Sequence, residues 1–233
     1  MALDFNGTTD QILYTLKSSQ VGTSIESWSF WIYPDSVAQY RRPIHVGAVG
    51  DRDRSFEMDD GWGFVFNFNF STSGGAWSVA KPSTGAWVHY VVTFDGTSTS
   101  NDPIVYKNGV VDTITERVAP VGTIKTANTN LYLGSELGTG QFWDGRIAEV
   151  AKWGNKILTQ DEVTRISLGG MSPRSIPEAL LFYAPLANGE ADLIKGALGI
   201  VTGTTKIAHP PINFIKSNSN VLRPRAFAPG RAR

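Results

Sequence analysis

The segment Gly63-Phe64-Val65-Phe66-Asn67-Phe68-Asn69-Phe70 places a phenylalanine at every second position. A helix would scatter these four rings around its axis. A strand, whose successive side chains point to opposite faces, gathers Phe64, Phe66, Phe68 and Phe70 on one side. Val65, Asn67 and Asn69 then face the other way, so the segment requires a sheet with one dry face and one wetter face. The same alternation runs through Ser27-Trp28-Ser29-Phe30-Trp31-Ile32-Tyr33, which stops at Pro34-Asp35-Ser36, and through Trp87 to Phe94, which stops at Asp95-Gly96. Ile104 to Lys107 meets Asn108-Gly109 and returns over Val110 to Ile114. Asn-Gly between two apolar runs specifies a hairpin, because both residues accept positive φ.

Further strands are expected at Leu131–Gly134, Gly145–Trp153, Leu180–Ala184 and near Ala197–Thr202. One helix is expected. Thr159 is its N-cap, Glu162 completes a capping box, Val163 and Ile166 share a face, and Gly169-Gly170 ends it. Many short strands with turns between them predict an all-β sandwich of two antiparallel sheets.

Composition narrows the function classes. The chain has no cysteine, which excludes a disulfide scaffold, thiolate zinc sites and a cysteine nucleophile. Its 21 Lys and Arg balance 21 Asp and Glu, so the body has no net field to draw nucleic acid or anionic lipid. Neither a nucleic acid nor a membrane is expected as a partner. Met1-Ala2-Leu3-Asp4 shows no basic region followed by an apolar stretch, so no secretory signal is read. The longest apolar run, Ala179–Ala187, is broken by Pro185 and falls far short of the roughly 18 residues that suggest a membrane span. From Asn213 the texture changes: Lys216, Arg223, Arg225, Arg231 and Arg233 follow with no acidic residue, and Pro224 and Pro229 break any regular element. Residues 1–208 are therefore expected to form the domain and 209–233 an extended basic arm. On that arm Phe214, Leu222 and Phe227 suit the pockets of a partner protein, while Lys216 and the four arginines suit its carboxylates.

The order of several pieces resembles the laminin-G-like, concanavalin A-like jelly-roll superfamily. They are Ala2-Leu3-Asp4-Phe5-Asn6-Gly7, Trp28 to Asp35, Trp87-Val88-His89-Tyr90-Val91-Val92-Thr93-Phe94-Asp95-Gly96, Tyr106-Lys107-Asn108-Gly109-Val110, Phe142 to Val150, and Leu158 to Val163. In many relatives a segment like Leu181 to Asp192, ending in a strand like Gly199–Gly203, precedes the opening strand; here it follows the helix. The resemblance therefore implies a circularly permuted chain whose last strands lie beside its first.

The resemblance also frames the chemistry. Relatives that hydrolyse glycosides set two or three carboxylates at alternate positions on one strand. No such triplet is read here: Glu57, Asp59 and Asp60 are assigned to a loop, and no enzyme is expected. Calcium-binding relatives use oxygen ligands, and an acidic residue commonly stands where this chain has Ala148. No cofactor is expected; Asp4, Asp10, Asp144 and Glu149 are the weak calcium candidates. His45, His89 and His209 are scattered, and His89 is expected to make a structural hydrogen bond. Trp28, Trp31, Trp87 and Trp153 match core positions. Tyr40, Trp62, Trp77 and Trp143 sit beside turns and are candidates for stacking on sugar faces, or for packing beneath loops.

Two functions follow as expectations. The first is a non-enzymatic structural protein of a virus particle, resembling the decoration or accessory proteins of bacteriophages. It is made in the host cytoplasm and attached to other virion proteins of capsid or tail through the arm, as a homo-oligomer such as a trimer. The alternative is a lectin-like carbohydrate-binding module for host-surface adsorption.

Overall fold

The computed structural model describes residues 2–21, 23–49, 51–168, 171–187 and 190–210. The chain runs through β1 (Ala2–Asn6), β2 (Gln11–Thr15), β3 (Ile25–Pro34), β4 (Ile44–Ala48), β5 (Asp51–Asp59), β6 (Gly63–Phe68), β7 (Gly75–Val79) and β8 (Val88–Asp95). It continues through β9 (Ile104–Lys107), β10 (Val110–Val111), β11 (Thr115–Val118), β12 (Asn130–Leu133) and β13 (Asp144–Gly154). The helix α1 (Gln160–Ser167), β14 (Leu180–Ala184), β15 (Gly199–Thr202) and β16 (Thr205–Ile207) complete it.

The strands form two antiparallel sheets, the jelly-roll sandwich expected from the alternation. The first has the order β10-β9-β8-β3-β13-β1-β16, with β14 also paired to β13. The second has the order β11-β7-β6-β5-β4-β12-β2-β15. The late strands lie beside the early ones, as the permuted order implies: β16 pairs with β1, and β15 with β2. Gly203 joins those two late strands at φ 81°, and a β-carbon there would stand 1.8 Å from Asp10 Oδ1. Only glycine lets this turn seat against the β1–β2 connection.

Between the sheets the alternating residues meet. Trp28, Phe30 and Ile32 of β3 and Tyr90, Val92 and Phe94 of β8 face Phe56 and Met58 of β5, the three phenylalanines of β6, and Trp77. Phe30 stacks on Phe56 at 5.6 Å between ring centroids, and Phe68 lies 4.7 Å from Phe94. The Asn108-Gly109 hairpin forms with φ of 52° and 84°. Its return strand is short, Val110–Val111 rather than the expected Val110–Ile114. Thr159 and Glu162 make the capping box, and Val163 and Ile166 are buried. The glycine pair expected to stop the helix lies outside the described residues.

Strands β4 and β5 are not among the expected elements, and Glu57, Asp59 and Asp60 at the end of this stretch are expected in a loop; the charges of Asp51-Arg52-Asp53-Arg54 mask the alternation. In the fold Arg54 points inward and bonds Glu26 of β3 through Nε, while Lys152 Nζ of β13 lies 3.3 Å from the other Glu26 oxygen. All three side chains are buried. Burial alone would raise the Glu26 carboxyl, but Arg54 and Lys152 outweigh it and hold it below its ordinary 4.5. Glu26→Ala leaves two buried cations uncompensated, and urea unfolding at neutral pH should show a loss of about 3–5 kcal/mol. The depressed carboxyl stabilises the fold fully above pH 4.5 and loses that contribution as pH falls below it. The variant's unfolding midpoint should therefore lack that part of the wild-type acid dependence.

Candidate functional site

Strand β5 divides its side chains between two worlds. Arg54, Phe56 and Met58 enter the sandwich, so Ser55, Glu57 and Asp59 must line the outer face of the second sheet. Glu57 and Asp59 thus occupy alternate positions on a strand, which corrects their expected place in a loop. Both are engaged. Glu57 accepts from Arg42 and, at 3.0 Å, from Asn67 Nδ2 of β6. Asp59 Oδ1 accepts the backbone N–H groups of Gly61 and Trp62, each at 2.8 Å, while its Oδ2 accepts from Gln39 Nε2 at 3.1 Å.

Those bonds shape an aromatic rim. Trp62 projects from the β5–β6 turn and is 41% exposed. Tyr40, next to Gln39, is 49% exposed and has φ 62°, with its N–H bonded to Met58 O at 2.7 Å. Lys81 Nζ bonds Asp60 at 2.6 Å and Val37 O at 2.7 Å, tying a third segment to the rim.

A polar track continues from the rim along the sheet. Arg42 is buried and spans two carboxylates, Glu57 and Glu136, the latter at 2.7 Å. Glu136 belongs to the β12–β13 loop, where Leu137 and Gln141 hold the left-handed φ of 54° and 52° and Glu136 N–H bonds Gly140 O at 2.9 Å. Beyond Arg42 the track opens into a cavity of about 300 Å³ whose lining includes His45, Asp51, Arg52, Asn69, Lys125 and Glu136. Lys125 is paired with Asp51 at 2.7 Å. His45 lies on β4, is 1% exposed, and has no hydrogen-bond partner on either ring nitrogen. Gly47 makes room for it: a β-carbon there would stand 2.7 Å from Nε2. Burial, reinforced by the guanidinium groups of Arg42 and Arg52, pushes the His45 imidazole down to about 3.

The other expected site residues fare differently. Trp77 and Trp143 are completely buried and cannot stack on an external ligand. Trp77 faces the core from β7 and donates Nε1 to Asp102 at 2.7 Å, and Trp143 packs where Gly7 and Gly134 bond its backbone. Their turn-side neighbours concealed this. The four calcium candidates do not converge. Asp4 faces Arg146 at 3.4 Å, Asp144 faces Arg41 at 3.8 Å, and Asp10 accepts from Asn6 N–H and the Thr9 hydroxyl. Glu149, at a β-bulge with φ 54°, accepts from Tyr183 and pairs with His209 at 2.8 Å. Among the described residues no group of three or more acidic or histidine side chains is placed to hold a metal ion. The arm residues Phe214, Lys216, Leu222, Arg223, Arg225, Phe227, Arg231 and Arg233 lie outside the described residues. The expected hydrogen bond of His89 is present: its Nε2 meets Ser29 Oγ at 2.9 Å and its Nδ1 meets Ser167 Oγ at 2.7 Å. Sequence reasoning missed Arg42, His45 and Arg52. The signal for Arg42 and His45 was the Arg41-Arg42-Pro43-Ile44-His45 run and that for Arg52 the Asp51-Arg52-Asp53-Arg54 run, in both of which the charges obscure the alternation.

Two antiparallel sheets with this strand order, packed face to face around an aromatic core, define the class as an antiparallel jelly-roll β-sandwich. The chain belongs to the concanavalin A-like lectin/glucanases superfamily, whose family model matches residues 6–164. No curated protein matches the sequence. Among solved structures, the native heptameric SAP-like pentraxin from Limulus polyphemus is similar with a TM-score of 0.62 at 16% identity, over 89% of this chain and 95% of that one. A putative carbohydrate binding protein from Bacteroides ovatus gives 0.58 at 18% identity, over 88% of this chain and 59% of that one. Domain 4 of AbnA, an extracellular arabinanase from Geobacillus stearothermophilus in complex with arabinotriose, gives 0.52 at 19% identity over 71% and 76%. These likenesses establish the fold.

His89 is also buried and is held down to about 3 by that burial. Two histidines should therefore stay neutral down to about pH 4 in an NMR titration of the imidazole C–H signals. An unfolded histidine binds its proton near 6.5. Stability should thus be full above pH 6.5 and fall as pH drops toward 3, which denaturant midpoints across that range will measure.

Proposed function

We propose that the protein is a carbohydrate-binding domain without hydrolytic activity, holding a saccharide on the outer face of the second sheet. The observation that carries this reading is the pair of exposed rings, Tyr40 and Trp62, fixed by Gln39 and Asp59 beside a continuous polar track. Aromatic faces desolvate together with the C–H groups of a sugar ring, and neighbouring amides and carboxylates take its hydroxyls. Glu57 and Asp59 supply hydrogen bonds rather than chemistry. One is paired with Arg42 and the other is occupied by the Trp62 turn, whereas hydrolysis requires an acid and a base or nucleophile free to exchange protons. The names of the Bacteroides ovatus protein and of the arabinanase domain, which both concern carbohydrate, agree with this reading.

A second reading, a homo-oligomeric accessory protein of a virus particle, draws on the basic composition of residues 213–233. His209, at the base of that segment, is fastened to Glu149, a suitable root for an attachment arm. High-copy purification with particles, lost on deleting residues 214–233, is its expected result; unchanged incorporation of the deletion overturns it.

For the saccharide reading, glycan-array screening followed by calorimetric titration should identify a ligand. Trp62→Ala and Tyr40→Ala should each weaken it by about tenfold, an energy of roughly 1.4 kcal/mol, without lowering thermal stability appreciably. A ligand bound equally well by both variants would place the site elsewhere.

A further inference from the structure

The cavity at the far end of the polar track has a composition the aromatic rim does not share. His45 contributes two unpartnered ring nitrogens from a fully buried side chain, although buried polar atoms are nearly always bonded. Arg52 borders the same space and makes no ion pair among the described residues, while the other charges nearby are matched, Lys125 by Asp51 and Arg42 by Glu57 and Glu136. Asn69 is held in place by donating to Arg52 O at 2.8 Å, which also steadies the Arg52 backbone. The enclosing loop keeps Leu137 in a left-handed conformation that leucine rarely adopts, a sign that the wall is held in shape. About 300 Å³ is the lower end of the size of small-ligand sites and accommodates one sugar unit rather than a chain.

We propose that this cavity is a subsite for the carboxylate of an acidic saccharide, with Arg52 as the charged partner and neutral His45 as an N–H donor from the floor. The assignment rests on the saccharide-binding reading of the same face. Its sign follows from the surroundings of His45: the charges that bear on the imidazole are the guanidinium groups of Arg42 and Arg52, both of which disfavour its protonation. The cavity wall also carries Asp51 and Glu136, but these are paired with Lys125 and Arg42. Among the described residues the unmatched charge bordering the space is therefore the guanidinium of Arg52, and a neutral imidazole can donate to an anion without competing for that charge. A planar carboxylate matches the guanidinium fork of Arg52 and gains charge-assisted hydrogen bonds in a space partly closed to water.

The full chain is titrated with methyl β-glucuronide and with methyl β-glucoside, which differ by the carboxylate, while the histidine imidazole resonances are followed by NMR. The glucuronide should bind at least about tenfold more tightly, shift the His45 signals, and leave those of His89 still. Arg52→Gln should remove that preference, whereas Trp62→Ala should leave the His45 response to the glucuronide intact. Because His45 is buried and its replacement endangers folding, the wild-type resonance is the readout at that position. Equal binding of the two glycosides, an unchanged preference in Arg52→Gln, or a static His45 signal at saturation would each overturn the assignment. Acetate reproducing the whole His45 response with the same affinity would overturn its saccharide part. If the subsite fails while a neutral oligosaccharide still binds and is weakened by Trp62→Ala, only this assignment falls. If the subsite holds but Trp62→Ala weakens no oligosaccharide, the rim reading falls instead.

Discussion

Phe56 and Met58 are packed among Phe30, Phe64, Phe66 and Phe68, and that packing decides which side chains of β5 meet solvent. With two residues of one parity committed to the core, Ser55, Glu57 and Asp59 have no choice but the opposite face. A one-residue slip in the pairing of β5 with β6 would drive two carboxylates into an aromatic interior, a cost far above the stability of a domain this size. The hydrophobic register therefore also sets the register of the polar track. Asp59 can hold the Trp62 turn, and Glu57 can meet Arg42, because the rings beneath them fix the strand.

Charge is placed with similar economy. Strand parity turns Arg54 inward with Phe56 and Met58, and a charge there is tolerated because Glu26 reaches it from the opposite sheet with Lys152 alongside. A hydrophobic trio of similar volume would stabilise the interior at least as well, since desolvating three charges is costly. What the ions add is specificity: they pair only when β3, β5 and β13 are in one alignment, so they tie the two sheets together in register. On the outer face Arg42 plays a comparable part, ion-paired with a strand carboxylate and a loop carboxylate. Removing either would loosen the β12–β13 loop that walls the cavity.

Elements whose signal is local were legible in the sequence. The phenylalanine alternation, the Asn108-Gly109 turn and the Thr159–Glu162 capping box each carry their meaning within a few residues, and each forms as read. Strands β4 and β5 were not legible, because Arg54 is a core residue only by virtue of Glu26, 28 positions away. The candidate site shows the same limit. Tyr40 and Trp62 were found from their neighbours and stand exposed, whereas Trp77 and Trp143 have similar neighbours and are buried, since strand parity and the packing of Gly7 and Gly134 decide their fate. The cavity was invisible, being assembled from β4, β5, the segment after β6 and two loops.

The two buried histidines show how the two sheets differ, and why the proposed site lies on the second. The outer face of the first sheet is covered: Val163 and Ile166 of α1, with Leu158 and Ile176, pack over Val91, Tyr106, Ala151 and Trp153. His89 lies under that cover and both its nitrogens are answered, by Ser29 of a neighbouring strand and Ser167 of the helix that covers it. Its neutrality is the end of the matter, a polar group accommodated in a closed layer. His45 is as little exposed and loses basicity likewise, but among the described residues no helix crosses the second sheet to supply hydroxyls. Its surroundings are the guanidinium groups of Arg42 and Arg52, the Tyr132 ring and an open cavity that Asp51 and Glu136 also line. Burial without partners costs a folded chain free energy that it recovers only when something outside the chain provides them, and the second sheet is the face where something outside can reach.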